Sequence, residues 1–221
     1  DTRVLYSDIG MIILGLAVSR ITGHNLQRII EERVTGPLGL ARTRFLPVGN
    51  TIPLDVAPTG YCAWRKRKIV GEVHDESACR LGGTAGHAGL FSTADEIARF
   101  GQSFLPETHL PLGTAPLTRP LRPSAIAEMT KLQFQDHLER RGLGFALWSA
   151  SSENSGSPFS TRAFGHTGFT GCSLWIDPDR QLITALLTND IYYGRQNRRI
   201  AELRLSVHRA VVQAIDHTPG A

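Results

Sequence analysis

The apolar positions of this chain fall into helix-spaced and strand-spaced stretches. Residues 9–18 (Ile9-Gly10-Met11-Ile12-Ile13-Leu14-Gly15-Leu16-Ala17-Val18) are apolar on nearly every face, which predicts a buried helix with Ser7 or Asp8 as its N-cap and Gly23 at its end. Leu26, Ile29, Ile30 and Val34 recur with helical spacing and predict a second helix over 25–34, closed by Thr35-Gly36-Pro37-Leu38-Gly39-Leu40. Thr93-Ala94-Asp95-Glu96 reads as a capping box that opens a helix to residue 105, with Ile97, Phe100, Gly101 and Phe104 as its stripe and Pro106 as its stop. Ser124 is expected to cap a short helix through Lys131. The last amphipathic stripe, Ile200, Leu203, Val207, Val211 and Ile215, predicts a helix over 197–215.

Strand patterns lie between these helices. Residues 59–73 read as a two-stranded ribbon with Arg65-Lys66-Arg67-Lys68 near its turn, and residues 142–148 alternate as a strand. In Gly165-His166-Thr167-Gly168-Phe169-Thr170-Gly171-Cys172-Ser173-Leu174-Trp175-Ile176, three glycines interrupt a run that then alternates. The turn signal Asp177-Pro178-Asp179-Arg180 and a second apolar strand follow, which together make a hairpin. A glycine at a strand position marks the close approach of a ligand or another backbone. Residues 42–58, 106–123 and 149–160 are loop-like.

Composition narrows the function classes. Apolar residues make up 41% and charged residues 20% of the 221, which is ordinary for a globular chain and argues against disorder. The net charge of +4 is spread over mixed-sign faces, with clusters at 65–68 and 195–209, so solvated faces are expected and nucleic-acid binding is not. No apolar run is long enough to span a membrane. Cys62, Cys79 and Cys172 give neither a zinc spacing nor a disulfide framework, and the compartment stays open. His74-Asp75-Glu76 are adjacent, so they cannot all face one ion in regular structure, and no second histidine stands at an H-x-x-x-H spacing. No metal and no cofactor are expected.

The candidate chemistry lies in three motifs. His166-Thr167-Gly168 offers a titratable ring, a hydroxyl and backbone N–H groups along one strand edge; Tyr6-Ser7-Asp8 stands at a helix mouth. Leu81-Gly82-Gly83-Thr84-Ala85-Gly86-His87-Ala88-Gly89-Leu90-Phe91-Ser92 is dense in glycine, as suits a backbone winding close to a cleft. Within it His87 is either a substrate contact or a ring satisfied by nearby backbone.

In their order, and along nearly the whole chain, these motifs resemble those of the serine β-lactamase and penicillin-binding protein superfamily, in its class C-like branch with esterases and D-aminopeptidases. The resemblance implies an α+β, β-lactamase/transpeptidase-like fold. A mainly helical region would cover residues 1–135. A sheet region over 136–221 would hold the His-Thr-Gly hairpin, an antiparallel sheet and the C-terminal helix behind it. It also implies acyl-enzyme chemistry, with Tyr6 as part of the base, Phe169 lending its N–H to an oxyanion hole, and Thr167 and Gly168 contacting substrate, with His87 a candidate contact beside them. Asp8 stands where the family has asparagine, keeping an acceptor but losing the amide donor. His166 stands where many β-lactamases have lysine, so the attraction for a substrate carboxylate weakens and ester or peptide-like substrates are favoured over β-lactams.

The superfamily's nucleophile lies in a Ser-x-x-Lys motif upstream of the tyrosine motif. No serine here has a lysine three residues later. The expectation is therefore the C-terminal part of a larger hydrolase, with an incomplete sheet whose apolar edge favours self-association. A non-catalytic chain that binds cell-wall peptides or a partner is the alternative.

Overall fold

The computed structural model describes residues 5–49, 55–106, 120–137, 139–151, 156–196 and 198–217. Along the chain come α1 (Asp8–Thr22), α2 (Leu26–Ile30) running into a π-helical turn (Glu31–Thr35), β1 (Arg44–Phe45), β2 (Tyr61–Cys62), β3 (Arg67–Lys68), α3 (Glu76–Arg80), β4 (Leu90–Phe91) and α4 (Ala94–Gln102). Then follow α5 (Pro123–Thr130), β5 (Phe134–Gln135), β6 (Arg140–Arg141), β7 (Ala146–Leu147), β8 (Phe164–Thr167), β9 (Ser173–Asp177), β10 (Leu182–Leu186) and α6 (Ile200–Asp216). The last six strands form one antiparallel sheet in the order β10-β9-β8-β7-β6-β5. The fold is α+β, as expected.

The period of two in β9 builds both cores. Leu174 and Ile176 point to one face, where Phe104, Leu105, Phe145, Leu147 and Phe164 pack with α4 and α5. Trp175 points to the other, where it meets Phe159, Ala163 and Val212 of α6. Gly101 of α4 lies so close to the sheet that a Cβ there would stand 2.9 Å from Ile183. Asp177 ends β9 fully buried, accepting from the Ser160 N–H (2.8 Å) and hydroxyl (2.5 Å) and from Arg180 Nη1 (3.1 Å).

The structure corrects several expectations. α1 has its Ser7 cap, whose hydroxyl accepts from Gly10 N–H at 3.2 Å, and its left-handed Gly23 stop. It is not buried, however. It rests on its neighbours through Gly15, against Gly86 and Leu26, and leaves Ile9, Ile13, Leu14, Leu16 and Ile21 exposed. The capping box at α4 is half made: Thr93 accepts from Glu96 N–H, but the Glu96 carboxylate accepts from Arg42 N–H and the Thr43 hydroxyl across the neighbouring loop. At α5 the N-cap is Arg122, and Pro123 sets the first turn, so Ser124 lies inside the helix. Only 146–147 of the predicted 142–148 strand is strand. Gly144 takes a positive φ and Gly142 N–H bonds to the Phe145 carbonyl, which makes a turn between β6 and β7.

On α6 the buried residues are Ile200, Arg204, His208 and Val212, while Leu203 is exposed. The face has turned from the apolar stripe because Arg204 is drawn in to bond backbone carbonyls. The basic cluster at 65–68 is not wholly a solvated face either, since Arg65 reaches inward to the Val73 (2.9 Å) and His74 (2.6 Å) carbonyls. Residues 107–119 and 152–155, within the expected loops, lie outside the described residues. No single helix among the described residues is long and apolar enough to cross a membrane.

Candidate active site

Tyr6 and His166 are 160 residues apart in sequence, yet their ring centroids stand 5.9 Å apart. Ser7 starts α1 immediately after Tyr6 and so sets the tyrosine at the helix mouth. The Gly-rich segment holds that helix in place. A Cβ on Gly86 would lie 2.1 Å from the Met11 carbonyl oxygen, so only glycine permits this approach.

β8 delivers His166 and Thr167, and the following turn delivers Gly168 and Phe169. The turn closes with Gly168 N–H donating to the Cys172 carbonyl at 2.7 Å and Gly171 N–H to the Gly168 carbonyl at 3.1 Å. Arg204 crosses from α6 and donates through Nη2 to the Gly168 (2.9 Å) and Cys172 (2.8 Å) carbonyls. Arg198 Nη2 donates to the Phe169 carbonyl at 2.5 Å, and the guanidinium groups of Arg195 and Arg198 lie over the Phe169 ring. The peptide expected to serve as an oxyanion donor is thus held by α6 and the loop before it.

Arg141 is the neighbour that sequence reasoning missed. Its Nη1 lies 3.5 Å from His166 Nε2, its guanidinium carbon lies 6.0 Å from the centre of the Tyr6 ring, and its Nε donates to Glu139 Oε2 at 2.7 Å. A guanidinium has only donors, so the facing Nε2 is the acceptor. The imidazole proton is then on Nδ1, which donates to the Thr167 carbonyl at 2.8 Å. Burial, and next Arg141, hold the His166 pKa below its ordinary value. His166 is neutral at pH 7.

Tyr6 is half exposed, and its pKa is shifted upward, first by partial burial and then by the charge of Asp8 and a hydrogen bond with it. Arg141 pulls the other way without prevailing. The phenol therefore holds its proton more firmly than a free tyrosine, and by itself it is a weak base.

His87 is linked to this cluster only through Asp75, whose charge adds to those that raise the Tyr6 pKa. Its side chain is 2% exposed, and its Nε2 lies 2.8 Å from Asp75 Oδ1, the oxygen that also caps α3 by accepting from Ala78 N–H at 2.7 Å. The ring is bonded to a side chain, not to backbone. His74 is also buried; its Nδ1 is 2.9 Å from the Thr59 hydroxyl and its ring 6.4 Å from that of Phe169. Glu76 turns to Arg195 at 2.6 Å, so the three adjacent groups His74, Asp75 and Glu76 diverge to separate partners. Arg204 gave a sequence signal of a kind, because it continues the i+4 row of Ile200, His208 and Val212. Arg141 gave none beyond standing before Gly-Leu-Gly.

Comparison with known proteins places this arrangement in context. The family model described as Beta-lactamase matches residues 1–209. An "N-acetylmuramyl-L-alanine amidase" of Bacillus subtilis (strain 168) is 35% identical over 212 residues, covering 85% of this chain and 44% of that protein. A "Putative D-alanyl-D-alanine carboxypeptidase" of Escherichia coli (strain K12) is 31% identical over 203 residues, covering 85% of this chain and 45% of that protein. The chain spans about half the length of the curated relatives it matches. Among solved structures, a β-lactamase from Mycobacterium bovis superposes with a TM-score of 0.64 at 23% identity, over 97% of this chain and 65% of that one.

Proposed function

Because the chain belongs to the β-lactamase family, we propose that it forms one wall of the active site of a serine hydrolase working through an acyl-enzyme, whose nucleophile lies outside these 221 residues. The observation that carries this reading is the meeting of Tyr6 with His166 beside Thr167, Gly168 and Phe169, in a sequence that has no Ser-x-x-Lys. Two further observations support it. The curated relatives are about twice as long as the matched region. The outer face of α1 is a continuous apolar surface (Ile9, Ile13, Leu16), of the kind that further chain covers.

In this reading a serine supplied by the rest of the protein attacks the acyl carbonyl. Phe169 N–H donates to the oxygen that becomes negative, and a second donor comes from the nucleophile's own segment. The edge of β8, with the Thr167 hydroxyl and Gly168, lines the substrate. Tyr6 joins the proton relay only once a cation beside it offsets Asp8 and partial burial, the two main causes that raise its pKa. Asp8 accepts and cannot donate, so it serves a substrate N–H and not a carbonyl. Relatives named for carboxypeptidase and amidase activity favour amide acyl donors of the peptide type, with esters next and β-lactams last.

The second reading, a non-catalytic protein that binds cell-wall peptides or a partner, is favoured by the firmly protonated Tyr6 and the missing Ser-x-x-Lys. A fluorophosphonate or penicillin probe separates the two. The 221-residue chain should remain unlabelled, and the same chain joined to an upstream Ser-x-x-Lys segment should label one to one. Labelling of the isolated chain at one of its own serines would overturn the hydrolase reading as stated. Failure of the joined protein to label would leave the binding protein.

A further inference from the structure

Arg204 is a buried cation on α6, 8% exposed, and among the described residues no carboxylate pairs with it. Asp190, whose charge reaches it, is bound to Arg198 at 2.6 Å. An unpaired buried charge is costly, yet both bonds of Arg204 Nη2 are placed on one turn, at the Gly168 carbonyl (2.9 Å) and the Cys172 carbonyl (2.8 Å). Resting on the hydrolase reading, we propose that Arg204 is a positioning residue for the oxyanion contact: it aims the Phe169 N–H and strengthens it as a donor through the Gly168 carbonyl of the same peptide.

The peptide between Gly168 and Phe169 is trans and planar, so its C=O and N–H point in opposite directions. A donor that fixes the carbonyl on one side therefore fixes the N–H on the other. Gly171 N–H is the second partner of that carbonyl, at 3.1 Å, and the Cys172 carbonyl accepts from Gly168 N–H at 2.7 Å as well as from Arg204. One guanidinium nitrogen thus joins both ends of the turn. Phe169 N–H itself has no hydrogen-bond partner among the described residues. Negative charge arriving there is stabilised by the hydrogen bond and by the guanidinium acting along the polarised peptide. Arg195 and Arg198 are also close, but they are paired with Glu76 and Asp190, which offset their charge. Burial, and next Arg198, lower the Arg204 pKa, and a guanidinium still keeps its proton at every working pH.

Hydroxide-catalysed exchange of the Phe169 amide tests this in the 221-residue chain, followed by NMR magnetisation transfer from water. Hydroxide takes the proton from the Phe169 nitrogen and leaves an imidate anion, whose charge rests largely on the Gly168 oxygen that Arg204 bonds; water then returns a proton. Arg204→Met keeps the stem of the side chain but removes the charge, and should slow this exchange about tenfold or more. Arg204→Lys keeps the charge and should stay closer to the parent. An arginine with a merely structural role predicts the opposite sign, because loosening the turn speeds exchange or leaves it unchanged. In the parent, Phe169 should exchange faster than the same amide in an unstructured peptide of residues 164–172, a comparison that decides the matter if Arg204→Met does not fold. Exchange in Arg204→Met as fast as in the parent, exchange in Arg204→Lys as slow as in Arg204→Met, or slower exchange in the parent than in the peptide would each overturn the proposal. No nucleophile or acyl donor takes part, so this test can fail while the labelling test succeeds, and the reverse.

Discussion

Two glycines three residues apart in the His-Thr-Gly stretch should respond to alanine very differently. Gly165 lies in β8 opposite Trp175 of β9. A Cβ at Gly165 would stand 2.2 Å from the Leu174 carbonyl oxygen and 2.7 Å from the Trp175 ring. The first contact is with backbone of the paired strand, which no rotamer change relieves. The second is with a ring 1% exposed, wedged between Phe159 and α6. Overpacking of this kind costs about 1–3 kcal/mol or more, and alanine returns only about 0.5–1 kcal/mol through the unfolded chain. Gly165→Ala should therefore lose about 2 kcal/mol net, which in a chain of this size lowers Tm by about 4–8 °C. At Gly168 the nearest atom to an added Cβ is 3.7 Å away and the φ is not in the left-handed region, so Gly168→Ala should stay within about 0.5 kcal/mol of the parent. Urea unfolding followed by far-UV and near-UV circular dichroism measures both, and the near-UV band of Trp175 should change in the first variant alone. If Gly165→Ala unfolds at the parent's midpoint, the inference from close approach to cost is wrong.

Other expectations concern charge and the sheet edge. Arg204→Ala removes one of the two donors to each of the Gly168 and Cys172 carbonyls and should cost about 1.5–3 kcal/mol, with amide shifts concentrated at 167–172; shifts confined to α6 would deny Arg204 its hold on the turn. Burial would raise the Asp177 pKa, but the Ser160 hydroxyl and N–H and then Arg180 hold it below the ordinary carboxylate value. Its contribution is present above about pH 3.9 and is lost as pH falls through the lower folded value. Asp177→Ala should cost about 3–5 kcal/mol in urea melts at pH 7, and a loss under 1 would refute the network's role. For His166 and His74, burial first and then neighbouring arginines lower the folded pKa. The unfolded chain then binds more protons below about pH 6.5, so stability should fall with pH in that window. His166→Gln should flatten part of that slope, and an unchanged slope would count against the neutral ring. β10 is an edge of the described sheet with apolar Leu182, Ile183 and Leu186, and such an edge should recruit another chain; sedimentation showing a monomer at every concentration would refute this.

Elements whose cause is local were legible. Ser7 and Thr93 cap helices because each oxygen answers an N–H three residues on. The Asp177-Pro178-Asp179-Arg180 turn signal joins two paired strands, as its residues imply. What failed depends on partners remote in sequence. Residues 142–148 alternate as a strand should, but pairing with both β6 and β8 requires the chain to reverse at Gly144, so half of the stretch becomes turn. The all-apolar α1 reads as a core helix, and nothing in its own sequence says that its outer face lies open. On α6 an apolar stripe competes with one arginine whose partners lie 36 and 32 residues earlier, and the arginine wins. Two hydrogen bonds to part-buried carbonyls, at about 1.5–3 kcal/mol each for a charged donor, outweigh the gain from burying Leu203, about 1.5–3 kcal/mol.

The same competition explains why the candidate site was only partly legible. Tyr6, His166, Thr167 and Phe169 stand in short motifs whose order survives any folding detail, so they could be read without coordinates. The charge of the site could not. Substituting histidine for lysine on β8 reads, residue by residue, as the loss of a cation. In the folded sheet β6 lies two strands from β8, and the Arg141 side chain spans that gap to within 3.5 Å of His166. A cation placed there has two effects at once: it restores positive charge beside the strand edge, and it adds to burial in lowering the histidine's pKa. A lysine at 166 would face Arg141 as a like charge at close range, which disfavours its charged form. Histidine at 166 and arginine at 141 are therefore one electrostatic unit. His166→Lys alone should therefore give a lysine whose pKa is depressed by Arg141, and combining it with Arg141→Gln should relieve the depression; an NMR titration that finds the same lysine pKa in both variants would refute the coupling.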